Sequence, residues 1–108
     1  MATGRVATAQ ITGANTNQTI YTVPTGFYGV YNLSFTNTSA ASVTLKFAVG
    51  ATTTPAASEY YEFDTVVPGK GVFERTGLVC GAGLNLIAQA SAANVVNVNV
   101  YGIETSTS

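Results

Sequence analysis

Histidine and tryptophan are absent from this 108-residue sequence, cysteine occurs once, and charged residues make up only 8%. Each shortage closes a class of chemistry. Without histidine there is no imidazole general base, no histidine-based nucleophilic triad and no histidine ligand for zinc. The single cysteine, Cys80, can build neither an intrachain disulfide framework nor a thiolate cluster, and reads as a small buried apolar side chain. Arg5, Lys46, Lys70 and Arg75 are the whole cationic complement and lie scattered along the chain. They form no basic patch, which argues against nucleic acid and against anionic membrane surfaces as partners. No apolar run approaches the roughly 18 residues of a membrane span. The opening stretch, "MATGRVATAQITG", lacks the apolar run of a signal peptide, so the expectation is a protein made in a cytoplasm without classical secretion.

What fills the sequence is neutral. Hydrophobic residues reach 46%, an ordinary globular share, while the charged fraction falls far below the usual level of about 25%. Seventeen threonines, eight asparagines and seven serines must therefore supply the polar surface. A formal net charge of −1 gives little self-repulsion, so association with other protein surfaces is not discouraged. The length suits one domain, residues 1–108, with a core large enough to stand without disulfides or metals.

The dominant period is two. Phe27, Tyr31, Leu33 and Phe35 share one parity, with Gly29 in register, and Tyr28, Val30, Asn32, Ser34 and Thr36 take the other. After the polar cluster "NTSAAS", Val43, Leu45, Phe47 and Val49 alternate with Thr44, Lys46 and Ala48, so the two runs read as a hairpin or as sequential antiparallel strands. Further strands are expected at 5–12, 18–23, 58–67, 72–79, 84–90 and 94–104. In 58–67, Tyr61, Phe63 and Val67 are expected inward, against Tyr60, Glu62 and Asp64. In the last, Val96, Val98 and Val100 point inward and Asn97 and Asn99 outward. Turns are marked by "PTG" at 24–26, "PGKG" at 68–71 and "CGAG" at 80–83. No stretch carries a capped helical period. About eight short strands without crossover helices predict an all-β fold, an antiparallel β-sandwich of jelly-roll or immunoglobulin-like Greek-key type. Residues 1–12 could extend as an N-terminal arm, and 105–108 are expected to fray.

Candidate chemistry is sparse. Five carboxylates occur, and Glu62 and Asp64, two apart on a strand, are expected on one face with Glu59 nearby. They read either as a carboxylate pair or hard-cation site, or as a solvated face opposite a lysine. "GKG" and "GAG" open no helix and offer no phosphate cradle. The sequons at Asn17, Asn32 and Asn37 are expected by chance where threonine is so abundant. Six tyrosines and five phenylalanines divide by parity: Phe35, Phe47, Phe63 and Tyr31 are expected in the core, and Tyr28, Tyr60 and Tyr101 on the opposite side. Exposed aromatics on an uncharged surface suit a protein–protein interface, and also a sugar-stacking cleft. The interface candidates are Arg5, Tyr28, Tyr60, Glu62 and Tyr101. No residue is assigned to catalysis, cofactor or metal, and no cofactor is expected.

"TIYTVPTGFYGVYNLSFTNTSAASVTLKFAV" resembles a segment of small β-sandwich virion structural proteins of tailed bacteriophages, and "GLVCGAGLNLIAQASAANVVNVNVYGIE" resembles their closing segment. Together the two quoted segments cover 59 of the 108 residues. Where that family often carries Gly-Asp before the penultimate strand, this chain has Ala82, Gly83 and Leu84. The resemblance implies a non-enzymatic building block located in the virion. Its partner would be the major capsid protein, which it would bind as a decoration or cement protein. A homo-oligomer is implied, with a trimer suited to a local threefold. A tail or fibre accessory is the neighbouring alternative. A module binding host glycans, with Tyr28, Tyr60 and Tyr101 converging on a groove, is the alternative from another class.

Overall fold

The computed structural model describes residues 3–52 and 54–106, with side chains from Val6 onward. The alternating segments become eight strands: β1 (Thr3–Gln10), β2 (Gln18–Thr22), β3 (Phe27–Asn37), β4 (Val43–Gly50), β5 (Tyr60–Val67), β6 (Val72–Cys80), β7 (Asn85–Ala90) and β8 (Val96–Ser106). One short 3₁₀ turn, Ala57–Glu59, precedes β5. The strands form two four-stranded sheets, β1-β8-β3-β6 (sheet A) and β2-β7-β4-β5 (sheet B). Every strand pairing is antiparallel, including β1 with β8, β2 with β7, β3 with β6 and β4 with β5. That nested set is a single long hairpin, with β4–β5 at its bend, rolled into a sandwich. It is the jelly-roll arrangement and excludes the immunoglobulin-like alternative.

Of the two readings of β3 and β4, a hairpin or sequential antiparallel strands, the hairpin does not form, because the two strands lie in different sheets. The polar cluster "NTSAAS" is a corner that carries the chain across the sandwich. Asn37, wholly buried, builds that corner. Its amide Nδ2 donates to the carbonyls of Ala41 (2.8 Å), Val67 (3.2 Å) and Pro68 (3.2 Å). Its Oδ1 accepts from the Ser39 amide (3.0 Å) and hydroxyl (2.8 Å). A buried amide with all these partners is satisfied, and it replaces the strand-to-strand bonds that a hairpin would have supplied.

The inward parity of both sheets fills one core. Phe35 from sheet A and Phe47 from sheet B meet edge to face, 5.8 Å between ring centroids, and both are fully buried. Tyr31, Leu33, Leu45, Leu86 and the valines at 96, 98 and 100 complete it, as the alternation predicts. Burial of each such large side chain contributes about 1.5–3 kcal/mol. Cys80 is buried, and burial pushes its thiol up to about 11, leaving little thiolate near neutrality.

Three expectations need correction. Phe63 does not enter the core and is 63% exposed, and Tyr61 is also largely outside. The cause is two register shifts in β5 against β4: Leu45 pairs with Thr65, Phe47 with Glu62, and Ala48 with Tyr60. Asp64 adopts a positive φ of 56° within this irregular stretch. Each extra residue reverses the parity, so period-two counting fails here. At the N-terminus, the strand expected at 5–12 forms over Thr3–Gln10 as an edge strand paired with β8, in place of the possible extended arm. At the other end, Thr105 and Ser106 remain in β8, opposite Tyr28 and Phe27. Residues 107 and 108, part of the tail expected to fray, lie outside the described residues.

Candidate interaction surfaces

The two carboxylates singled out in β5 do not act as a pair. Glu62 faces sheet A across the open side of the sandwich, where its Oε2 accepts from Arg75 of β6 at 2.7 Å. Thr65 also donates to its Oε1 at 2.9 Å. Asp64 turns the other way and pairs with Lys46 of β4 at 2.5 Å. The irregularity that exposes Phe63 also separates the two acids, and each is neutralised by its own cation. Glu59 is occupied too: its Oε1 accepts from the Ala56 amide at 2.8 Å and caps the short turn before β5. Among the described residues, no three acidic or cysteine side chains gather where a metal could sit.

Aromatic residues concentrate along β5 instead. Tyr60 and Phe63 pack edge to face at 5.3 Å, and Lys46 Nζ sits 4.6 Å from the Phe63 ring centre. Val66 continues the line, so Tyr60, Phe63 and Val66 make an apolar strip on the outer side of sheet B. Tyr61 points toward the sandwich edge, between Phe47 at 6.1 Å and the Arg75 guanidinium at 5.0 Å. Lys46, paired with Asp64, lies against the Phe63 ring, and Arg75, paired with Glu62, lies against Tyr61. Such half-exposed pairs add little stability, and their effect here is to orient the rings.

A second apolar group lies on the outer face of sheet A. Val30 of β3 is registered directly against Val79 of β6 and Ile103 of β8, and all three are exposed. Tyr28 follows two residues before Val30 on the same face. Tyr101, half-buried, pairs with Asn32 on one side and with Arg5 on the other. The Arg5 side chain lies outside the described residues. Beyond these, the face carries Val72 and Glu74 of β6, and the rest of its described side chains are mostly neutral and polar. A shallow depression of about 360 Å³ between β1 and β8 is lined by Thr8, Ala9, Gln10, Asn97, Val98 and Asn99. Of the five sequence candidates, Tyr28, Tyr101 and Arg5 thus belong to sheet A, and Tyr60 and Glu62 to sheet B. Tyr28, Tyr60 and Tyr101 do not converge on one groove.

Sequence reasoning gave Glu104 no role, yet it organises one end of the core. Only 2% exposed, its Oε2 accepts from Tyr21 of β2 at 2.5 Å and from Tyr31 of β3 at 2.7 Å. One carboxyl therefore links sheet A to sheet B. Gly29, directly opposite Glu104, makes room: a Cβ there would lie 2.4 Å from the Tyr31 hydroxyl. Burial first, and then the bond to Glu104, push the Tyr21 hydroxyl up to about 12 and Tyr31 further in the same direction. The signal was present in the sequence, because the inward parity of Val96, Val98 and Val100 continues through Gly102 to Glu104.

No family model matches the chain, and no curated protein or solved structure shows significant similarity to it.

Proposed function

We propose that this protein is a non-enzymatic structural component of a virus particle, and specifically a decoration protein that binds the outside of a capsid shell. The observation that carries this reading is the strip formed by Tyr60, Phe63 and Val66 on β5. Aromatic side chains held rigid and exposed on a nearly uncharged surface are the usual anchors of protein interfaces. Their strand lies at the edge of sheet B, where the register shifts twist it away from simple strand addition. Side-chain anchoring, rather than extension of a neighbour's sheet, is the contact this edge offers. A weak contact of this kind becomes effective when repeated over a symmetric shell. The resemblance of residues 19–49 and 77–104 to virion proteins of tailed phages supports the same reading.

The test is co-sedimentation of the purified protein with emptied capsids of the virus that encodes it, counting bound copies per shell. Saturable binding, weakened by Phe63→Ser and by Tyr60→Ala, is expected. Absence of binding to shells would overturn the decoration reading and shift the assignment to the tail.

A further inference from the structure

The outer face of sheet A carries a property that shell binding through β5 leaves unused. Val79, Val30 and Ile103 are 66%, 44% and 57% exposed, and they stand in one registered row across β6, β3 and β8. Tyr28, 43% exposed, extends the row along β3. Exposed valines occur singly on most proteins, but a registered row of three aliphatic side chains beside a tyrosine is a contiguous patch. The centre of the platform is regular, since β3 and β8 pair without a shift from Phe27–Ser106 to Asn37–Val96, while the flanking pairs β1–β8 and β3–β6 carry one shift each.

We propose that this face is a two-fold interface at which a second copy of the same chain packs, sheet A against sheet A. Three observations select that occupant. First, Glu74 on edge strand β6 is the only charged residue among the described side chains of the face, and Arg5, of opposite sign, is registered against Tyr101 on the other edge strand, so a partner chosen by net charge has little to hold. Second, apart from Val72 and Glu74 the remainder of the face is mostly amides and hydroxyls, such as Asn32, Ser34, Asn97, Asn99 and Gln10. Each of these groups both donates and accepts hydrogen bonds. A two-fold interface brings identical surfaces together and needs that self-complementarity. Third, the size is right. Strands of 8, 11, 11 and 9 residues, at about 3.3 Å rise and 4.8 Å spacing, give a face of roughly 600 Å². That approaches the ~800 Å² per partner of a standard stable interface.

The outer side of sheet B does not meet these conditions. Its Lys46–Asp64 pair places fixed charges there, and the register shifts of β5 make its edge uneven. The inference does not depend on the shell: a dimer that ignores capsids would overturn the function proposed above and leave this interface standing.

Sedimentation equilibrium of the full chain at micromolar concentrations reads the outcome directly. The expected species has twice the mass of the 11.1 kDa chain. Val30→Lys with Ile103→Lys sets like charges against each other across the two-fold axis and should weaken dimerisation by at least ~100-fold. Val79→Lys, on the edge strand β6, should act in the same direction and keeps the test usable if the double variant fails to fold. Phe63→Ser on sheet B should leave the dimer unchanged. Wild-type protein sedimenting only as the single chain would overturn the proposal, as would a trimer. So would folded Val30→Lys/Ile103→Lys or Val79→Lys protein that dimerises like the wild type, or loss of the dimer in folded Phe63→Ser.

Discussion

Removal of the Glu104 carboxyl is the sharpest probe of how the two sheets are held together. Glu104→Ala leaves the Tyr31 hydroxyl, in a fully buried residue, and the Tyr21 hydroxyl without the acceptor they share. An orphaned buried hydroxyl costs about 1–3 kcal/mol. The Tyr21 hydroxyl is nearer the surface and falls at the low end of that range. The space vacated by the side chain adds about 1 kcal/mol, since Gly29 on the facing strand has nothing to fill it. The sum is about 3–5 kcal/mol, a large share of a typical total stability of about 5–15 kcal/mol. For a chain of this size it lowers the thermal midpoint by roughly 12–20 °C. Glu104→Gln keeps the shape and one acceptor oxygen and should cost about half as much. Urea unfolding followed by circular dichroism measures all of these, and a double-mutant cycle isolates the bond. Tyr31→Phe should cost about 1–2 kcal/mol in the wild-type background and nearly nothing when Glu104 is already alanine. The reasoning fails if Glu104→Ala stays within about 1 kcal/mol of wild type, or if Tyr31→Phe costs the same in both backgrounds.

The same cluster sets the alkaline limit. Tyr21 and Tyr31 are raised above the ordinary 10.0, and Cys80 is raised from 9.0 to about 11. Groups raised in the folded state contribute stability that is complete below their unfolded values and is lost as pH climbs through the folded ones. The urea midpoint should therefore hold steady up to about pH 9, decline above it and fall more steeply between about 10 and 12; a midpoint flat to pH 11 would refute this. Gly102→Ala should be severely destabilising, by about 3 kcal/mol or more, because its Cβ would lie 2.0 Å from the Val30 carbonyl oxygen; a soluble variant with a wild-type melting curve would contradict that close approach. Asn37→Ala should cost about 2–4 kcal/mol, since it leaves three backbone carbonyls at the β3–β4 corner without their donor; amide exchange should show that corner opening first.

How much of this could be read along the chain varies by element. The strands β3, β4 and β7 emerge from alternation and apolar run almost to the residue, and β8 within two residues at each end, because their inward faces meet one core and no shift interrupts β3 against β8. β5 is misread from Tyr61 to Asp64, while Val67 is buried as its parity predicts. Its shifts depend on how it docks against β4, and an edge strand with one neighbour tolerates extra residues that a central strand does not. The candidate surfaces follow the same division. Tyr28 was recognised by parity, whereas Phe63, the most exposed aromatic side chain on the molecule's described surface, was assigned to the core.

Local pattern therefore decided the all-β class, the number of strands, most of the core and the neutral character of the surface. Burial of one face imposes a period of two, and a charge-poor composition leaves only amides and hydroxyls for the outside. The tertiary structure alone decided the rest. It chose the jelly-roll pairing, because partners such as β1 and β8 are brought together by long-range closure that no local signal encodes. It made the β3–β4 connection a sheet-crossing corner rather than a hairpin, and it drew Tyr21, Tyr31 and Glu104 into one hydrogen-bonded tie. It also placed Val79, Val30 and Ile103 side by side, from strands well separated in sequence, because register between strands rather than position along the chain determines which side chains share a surface.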